Sequence, residues 1–479
     1  MLDIPILRNG HSYLSKETFA LGDYATGEAV ARLSLANPGL ISRDLLQDAW
    51  TPLQDLRISD ILAMFRAAAE HFMSAALPID GRSQSPEEFV AAQSATTGLP
   101  HSLCRQNMAK IEAAMRNMAD ILDGLTGGLD LDVLDEGYGL RDGHVVSYVP
   151  KARRFGAVLP ANSPGVHALW LPAVALKMPL ALKPGQREPW TPVRILESLR
   201  AAGLPAAMLG FYPSGHDGAG VILRKCGASM MFGSGESVRP WLGDPRIEIH
   251  GPGYSKVVLG PDKADAWRDY LDLMVTSVSS NGGRSCINAS SVRTPAHGRE
   301  LALALAERLA VIRPRPRDDP AALLAAFPDP ATARGMDAAI ERGLAQGGAE
   351  DVSARFRHPL AGTRQRLVEF EGGTYLLPTV IYCDDAENPL ANQEYLFPFV
   401  SVLDVPAAEL TDTLGPSLVV TALTDDPRME RDLLARPEIG RLNLGPAPTS
   451  ALQWDQPHEG NVFTHLYQQR AFQKEFSSS

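Results

Sequence analysis

Cysteine is scarce in this chain. Four residues, Cys104, Cys226, Cys286 and Cys383, are spread over 479 positions, and none forms a C-x-x-C pair. That excludes a disulfide framework, gives no support to a zinc or dithiol motif, and fits a reducing compartment; no metal site is expected. Charge of one sign is not concentrated either. Lys and Arg total 45 against 56 Asp and Glu, a net charge of −11, and no basic stripe follows a phosphate backbone, so nucleic acid is not an expected partner. Long apolar runs are missing. The greasiest stretch, 168–182, holds Pro172, Lys177 and Pro179 and falls short of a membrane span. The opening residues also lack the pattern of a secretory signal. These absences lead to the expectation of a cytoplasmic protein without a membrane partner. Even the glycine fingerprint of simple dinucleotide folds is incomplete: GSGESV at 233–238 has Val238 where the third glycine would stand.

What is present describes an ordinary globular chain, 45% hydrophobic and 21% charged, long enough for two or three domains. Apolar residues recur at three and four (Ile61, Leu62, Phe65, Ala68), so residues 42–125 are expected to be mostly helical. Asp142-Gly143 signals a hairpin. Strands are then expected at Phe155–Pro160, at Leu180–Lys183, near Leu209–Tyr212, at Ser229–Phe232 and through Arg246–His250. Helices should carry Leu169 and Trp170, Thr191–Ala202 and Ala219–Lys225, with a helix start near Ser234. Repeated βα units of this length specify an α/β fold with a doubly wound parallel sheet that binds a nucleotide at its strand ends. A second α/β region begins near Lys256, with a helix over Ala264–Ser280 and a loop around 313–335. Phe463–Phe476 reads as an edge strand.

Several residues invite chemistry, and each has a plainer reading. Cys286 follows Asn281-Gly-Gly-Arg-Ser285 in a polar loop. Buried cysteines are usually inert, but glycines permit close approach and a nearby cation lowers a thiol pKa. Asn162, between a strand and Pro164, suits a turn as well as a catalytic amide. Lys183 at a strand end can simply reach solvent. Gly233 and Ser234 open either a tight turn or a phosphate-facing helix start.

The order of these segments resembles the aldehyde dehydrogenase superfamily. The resemblance runs from about Phe155 to Phe463, through ANSP around Asn162, LKPGQ around Lys183, FGSGES near Ser234, NGGRSC at Cys286, GGTYLLPTV at 372–380, QEYLFP around Glu394 and RLNLG at 441–445. It implies a nucleotide-binding domain over 1–255 with an oligomerisation hairpin near 138–152, a catalytic domain over 256–445, and a C-terminal return over 446–479. It implies NAD(P)-dependent oxidation of a small-molecule aldehyde to a carboxylic acid. Cys286 would be the nucleophile, and the Asn162 amide with the Cys286 backbone N–H would hold the oxyanion. Lys183 would meet the adenosine ribose, Ser234 a phosphate, and Glu394 the nicotinamide ribose.

This chain departs from the family in three places. Gln186 stands where an acid often binds the ribose, so NADP fits as well as NAD. Phe397 replaces a glycine. The deacylating glutamate is displaced: matching the Gly253–Ser255 end puts His250 in its place, whereas matching the acid selects Glu248, and a continuing strand would turn both to one face. Loss of the usual glutamate also resembles a coenzyme-A-acylating branch. A non-catalytic nucleotide-binding scaffold is a third reading. Leu169 and Trp170 would line a substrate tunnel or belong to the core. Pairing of the 142–143 hairpin with a neighbour's 463–476 segment would make a homodimer or homotetramer.

Overall fold

The computed structural model describes residues 2–357 and 365–474. The expected helical stretch is present as α1 (Ile58–Ser74), α2 (Pro86–Thr97), α3 (His101–Arg116) and α4 (Met118–Thr126). Ile61, Leu62, Phe65 and Ala68 all lie buried on α1, as their spacing requires. Ser85 opens α2 with a capping box: its hydroxyl accepts from Glu88 N and the Glu88 carboxylate accepts from Ser85 N. A hairpin, Leu77–Ile79 with Arg82–Gln84, interrupts the helices, turning at Asp80-Gly81. The same Asp-Gly signal at 142–143 joins β1 (Tyr138–Arg141) to β2 (His144–Pro150), with φ of +50° and +78° at its central residues.

The first parallel sheet contains β3 (Phe155–Val158), β4 (Leu180–Lys183), β5 (Ala228–Phe232) and β6 (Ile247–His250), in the order β4-β3-β5-β6. Helices α5 (Trp190–Ala201) and α6 (His216–Lys225) lie between β4 and β5 in the chain. No strand forms at Leu209–Tyr212. Only Phe211 bridges, to Leu182 on one side and Leu7 on the other, because Pro213 cannot donate to a ladder and the chain leaves the sheet there.

The second sheet has seven strands: β7 (Ser255–Leu259), β8 (Ala289–Thr294), β9 (Ala349–Asp351), β10 (Thr379–Cys383), β11 (Phe399–Asp404), β12 (Ser417–Leu423) and β13 (Ile439–Leu444). Their order is β9-β10-β11-β8-β7-β12-β13, parallel except for β9 against β10. Fully buried runs such as SLVVTAL in β12 suit a parallel sheet covered on both faces. The helix expected over Ala264–Ser280 begins instead as 3₁₀ turns over Ala264–Tyr270, where Asp, Trp and Tyr are weak helix formers, and becomes α7 (Leu271–Ser279).

The C-terminal segment also differs from expectation. Residues Val462–Leu466 form a helical turn capped by Asn461, followed by β14 (Tyr467–Arg470). Strand β14 pairs antiparallel with β2 of its own chain, not a neighbour's, giving a three-stranded sheet in the order β14-β2-β1. Glu475 and Phe476 lie outside the described residues. Among the described residues no helix is long and apolar enough to cross a membrane.

Candidate active site

The loop before Cys286 is shaped by three consecutive left-handed residues, Asn281, Gly282 and Gly283, with φ of 52°, 66° and 69°. Gly283 has a second constraint: a Cβ there would sit 2.3 Å from the backbone nitrogen of Pro398. The Asn281 amide donates to Ser163 Oγ at 3.1 Å and to Ser285 Oγ at 3.0 Å, and its own oxygen accepts from Asn107 Nδ2 at 2.8 Å. From the other side, Ser255 Oγ donates to the Cys286 carbonyl at 2.9 Å, and a Cβ on Gly253 would meet that oxygen at 2.0 Å. The nucleophile loop is therefore clamped between β7 and the segment after β3.

Among the described residues, the main influences on the thiol include no cation. The buried Arg284 guanidinium donates to the carbonyls of Thr97 and Ala326 and lies over the Phe327 ring, away from the sulfur. Burial, then the charges of Glu459 and Glu394, hold the Cys286 thiol well above its usual pKa. The resting cysteine is a neutral thiol.

Cys286 lines a cavity of ≈ 340 Å³ together with Asn162, Gly233, Ser234, His250 and Glu394. Asn162 donates one amide hydrogen to the Arg284 carbonyl at 2.7 Å, which leaves the other available. Ser234 caps the short helix Gly235–Val238, and a Cβ at Gly233 would collide with Ser237 Oγ at 2.2 Å. Glu394 lines the same cavity. One of its oxygens accepts from the backbone nitrogens of Gly253 and Tyr254, both at 2.8 Å, and burial pushes its carboxyl up to about 7. Gln186 lines a neighbouring cleft of ≈ 500 Å³ that shares Asn162 and Leu396 with the first. Lys183 ends β4, and its ammonium has no partner among the described residues, while burial lowers its pKa. Gln186 lines one of these two cavities and the helix start at Ser234 the other, while Lys183 lines neither.

His250 and Glu248 are separated by the fold. The His250 ring stacks on Phe232 at 4.5 Å, and its Nδ1 meets a Glu459 carboxylate oxygen at 2.5 Å, while its buried Nε2 has no partner. Glu248 does not line the Cys286 cavity. It faces a separate space of ≈ 30 Å³ with His458 and Gly460, and burial pushes its carboxyl up to about 7. Gly460 has no room for a side chain, since a Cβ would fall 1.8 Å from Glu248 Oε1. The two side chains thus face different spaces: His250 the larger Cys286 cavity, and Glu248 a small one that shares Leu169, Trp454 and His458 with a second cavity at Cys286.

The C-terminal loop carries two residues missed in the sequence. Ligand atoms of Cys286, His458 and Glu459 all lie within 4.8 Å of one another, a donor set that a divalent transition metal could use. Burial, with His250 and Arg441 nearby, takes the His458 pKa down to about 3, so its ring is neutral. The signal was the string His458-Glu459-Gly460 in a turn-rich loop after the last strand of the large sheet, with positive φ at Glu459 and Gly460. A further cavity of ≈ 120 Å³ opens at Cys286, lined by Val166, Leu169, Ile287, Leu452 and Trp454 among others. Trp170 does not line it; fully buried, it donates from Nε1 to His167 Nδ1 at 3.0 Å.

The model of the aldehyde dehydrogenase family matches residues 79–410, well over half of the chain. The chain belongs to the aldehyde dehydrogenase family. Its fold is the family's fold, as solved structures show. The aldehyde dehydrogenase KauB from Pseudomonas aeruginosa superposes with a TM-score of 0.79 at 16% identity, covering 98% of this chain and 96% of that one. An NAD-dependent aldehyde dehydrogenase from Sinorhizobium meliloti gives 0.76 at 17% identity, with 98% and 94% covered. An aldehyde dehydrogenase from Bacillus cereus, solved as an NAD⁺ complex, gives 0.76 at 14% identity, with 98% and 96% covered. A comparison with curated proteins yields no match. Membership makes this chain an oxidoreductase of the aldehyde dehydrogenase type.

Proposed function

We propose that the chain oxidises an aldehyde to its carboxylic acid with NAD or NADP through a thioester on Cys286. The carrying observation is that Cys286, Asn162 and His250 face one cavity with Gly233, Ser234 and Glu394. The Cys286 thiol gives its proton to the Glu459–His250 pair as sulfur attacks the carbonyl carbon. The free amide hydrogen of Asn162 holds the oxyanion of the resulting hemithioacetal. A bound nicotinamide supplies the hydride acceptor that makes this an oxidation. Once His250 has passed the thiol proton to solvent, water opens the Cys286 thioester: His250 takes the water proton, Glu459 steadies the imidazolium, and the C–S bond breaks to release the acid as the leaving sulfur takes that proton back.

Lys183 and Gln186 would hold the adenosine end, Gly233 and Ser234 the phosphates, and the second oxygen of Glu394 the nicotinamide ribose. Gln186 carries no charge to repel a 2′-phosphate, which keeps NADP beside NAD. The test is reduced-cofactor formation over an aldehyde panel with NAD⁺ or NADP⁺, with and without coenzyme A. Turnover without coenzyme A, lost in Cys286→Ala, is expected. Turnover that requires coenzyme A, or cofactor binding without turnover, would overturn the reading.

A further inference from the structure

The ≈ 120 Å³ cavity beside Cys286 is not uniformly apolar. Its walls are Val166, Leu169, Ile287, Leu452 and Trp454, and Lys110 of α3 also lines it. The Lys110 stem lies over Gly165, where an added Cβ would be 3.7 Å from its Cδ. Its ammonium has no ion pair or hydrogen bond among the described residues, and no Asp or Glu shares the lining. Lys110 is an exposed residue at the mouth of the cavity, and the protein packed against it lowers its pKa by desolvation.

Four of the other polar side chains there are engaged with one another or with the backbone, whereas the buried Nδ1 of His458, whose ring is neutral, has no partner among the described residues. Asn107 donates to Leu103 O and Asn281 Oδ1 and accepts from Gly165 N. Ser163 and Ser285 bond to each other, and Ser450 pairs with Ser280. Lys110 is left as the one uncommitted charged donor in a short greasy passage that ends at the nucleophile. Its stem can lie along the apolar walls while the ammonium stays hydrated, and a charge-assisted bond from it to an anion in the cavity is roughly twice as strong as a neutral one. A cavity of about 150 Å³ holds a benzene-sized guest, so this one suits an aliphatic chain of about four or five carbons. The Glu459 carboxylate near the sulfur does not oppose this, since it faces the aldehyde end and is paired with His250.

We infer that Lys110 selects a short aliphatic aldehyde carrying a terminal carboxylate, held with its aldehyde at Cys286 and its carboxylate on the lysine. This deepens the dehydrogenase reading and rests on it. The experiment compares kcat/KM for 4-oxobutanoate and 5-oxopentanoate with that for butanal and pentanal, in the wild type, Lys110→Gln and Lys110→Arg. In parallel, glutarate is tested for protection of Cys286 against iodoacetamide, a readout that needs no turnover. The wild type should favour the carboxylate substrates by about tenfold or more, from a single charge-assisted contact. Lys110→Gln should erase that preference through KM, and Lys110→Arg should retain it. Glutarate should protect the wild type and not Lys110→Gln. Turnover without a charge preference, or a preference unchanged in Lys110→Gln, overturns the anion site and leaves the dehydrogenase reading standing. Protection that depends on Lys110, without turnover of any aldehyde, overturns the dehydrogenase reading and keeps the anion site.

Discussion

Cys286 sits between two acids, Glu459 and Glu394, which with burial keep its proton on. Removing one of those charges should therefore free the thiol while impairing the later water step. Glu459→Gln is expected to shift the pH midpoint of Cys286 alkylation downward and to lower kcat, about tenfold as a loss of positioning; a merely structural role would leave the alkylation midpoint where it was. His250→Ala should cut kcat by ~10²–10⁴, the usual worth of a general base, and should also slow the first-turnover burst of reduced cofactor, because the same pair takes the thiol proton. A burst at the wild-type rate would mean that His250 serves the water step alone. Glu248 carries a different consequence. Its folded pKa of about 7 lies above the ordinary glutamate value because of burial, so its contribution to stability is complete below about pH 4.5 and lost as pH rises through 7. Thermal melts of Glu248→Gln against wild type should thus diverge between pH 5 and pH 8, with the variant gaining at the higher pH. Cys286, Asn162, Ser234 and Glu394 were legible because each sits in a local motif. Glu459 and His458 were not, because only tertiary folding brings residues so distant in sequence to the sulfur.

Short elements were read well where one local signal decided them and poorly where neighbours did. Asp142-Gly143 needed only positive φ at two residues, and its twin Asp80-Gly81 turns a hairpin by the same physics. The segment 209–212 had strand composition but found a partner at one residue only. The tail held helix and strand in succession, and Asn461 sets the helical start by accepting from the nitrogens of Phe463 and Thr464. Between elements, glycine marks the contacts that matter. The loop of Gly253 lies directly on the Cys286 backbone, so Gly253→Ala must push the two apart. A shift near 1 Å in a reacting group costs about 10²-fold. Steady-state rates of Gly253→Ala should fall by that order, and a fully active variant would show that the loops yield without cost.

For the molecule as a whole, alternating βα units were enough to foresee one parallel sheet and a second α/β region, because parallel strands need crossovers and those crossovers read as helices. The register of the small sheet was not foreseeable from pattern alone. Strand β1 pairs with β2 on one side only and carries Leu140, 61% exposed. An edge of this kind needs a cover, and we expect a second copy of the chain to supply it in a homodimer or homotetramer. Light scattering should give a mass above that of one chain, and Leu140→Asp should lower it; a monomeric wild type would refute the assignment. Strand β14 has a further effect, on the birth of the protein. Synthesis runs from the N-terminus, so β2 must wait with an open edge while more than 300 residues are made, since Arg470 Nε donates to Ser147 Oγ across a separation of 323. The turn His458 to Gly460 of the candidate site arrives in the same stretch. A nascent chain can thus assemble most of both sheets on the ribosome and still have neither a paired β2 edge nor a complete centre until residues 458–470 have been made. Stalled or truncated products would expose a sticky strand in place of an enzyme.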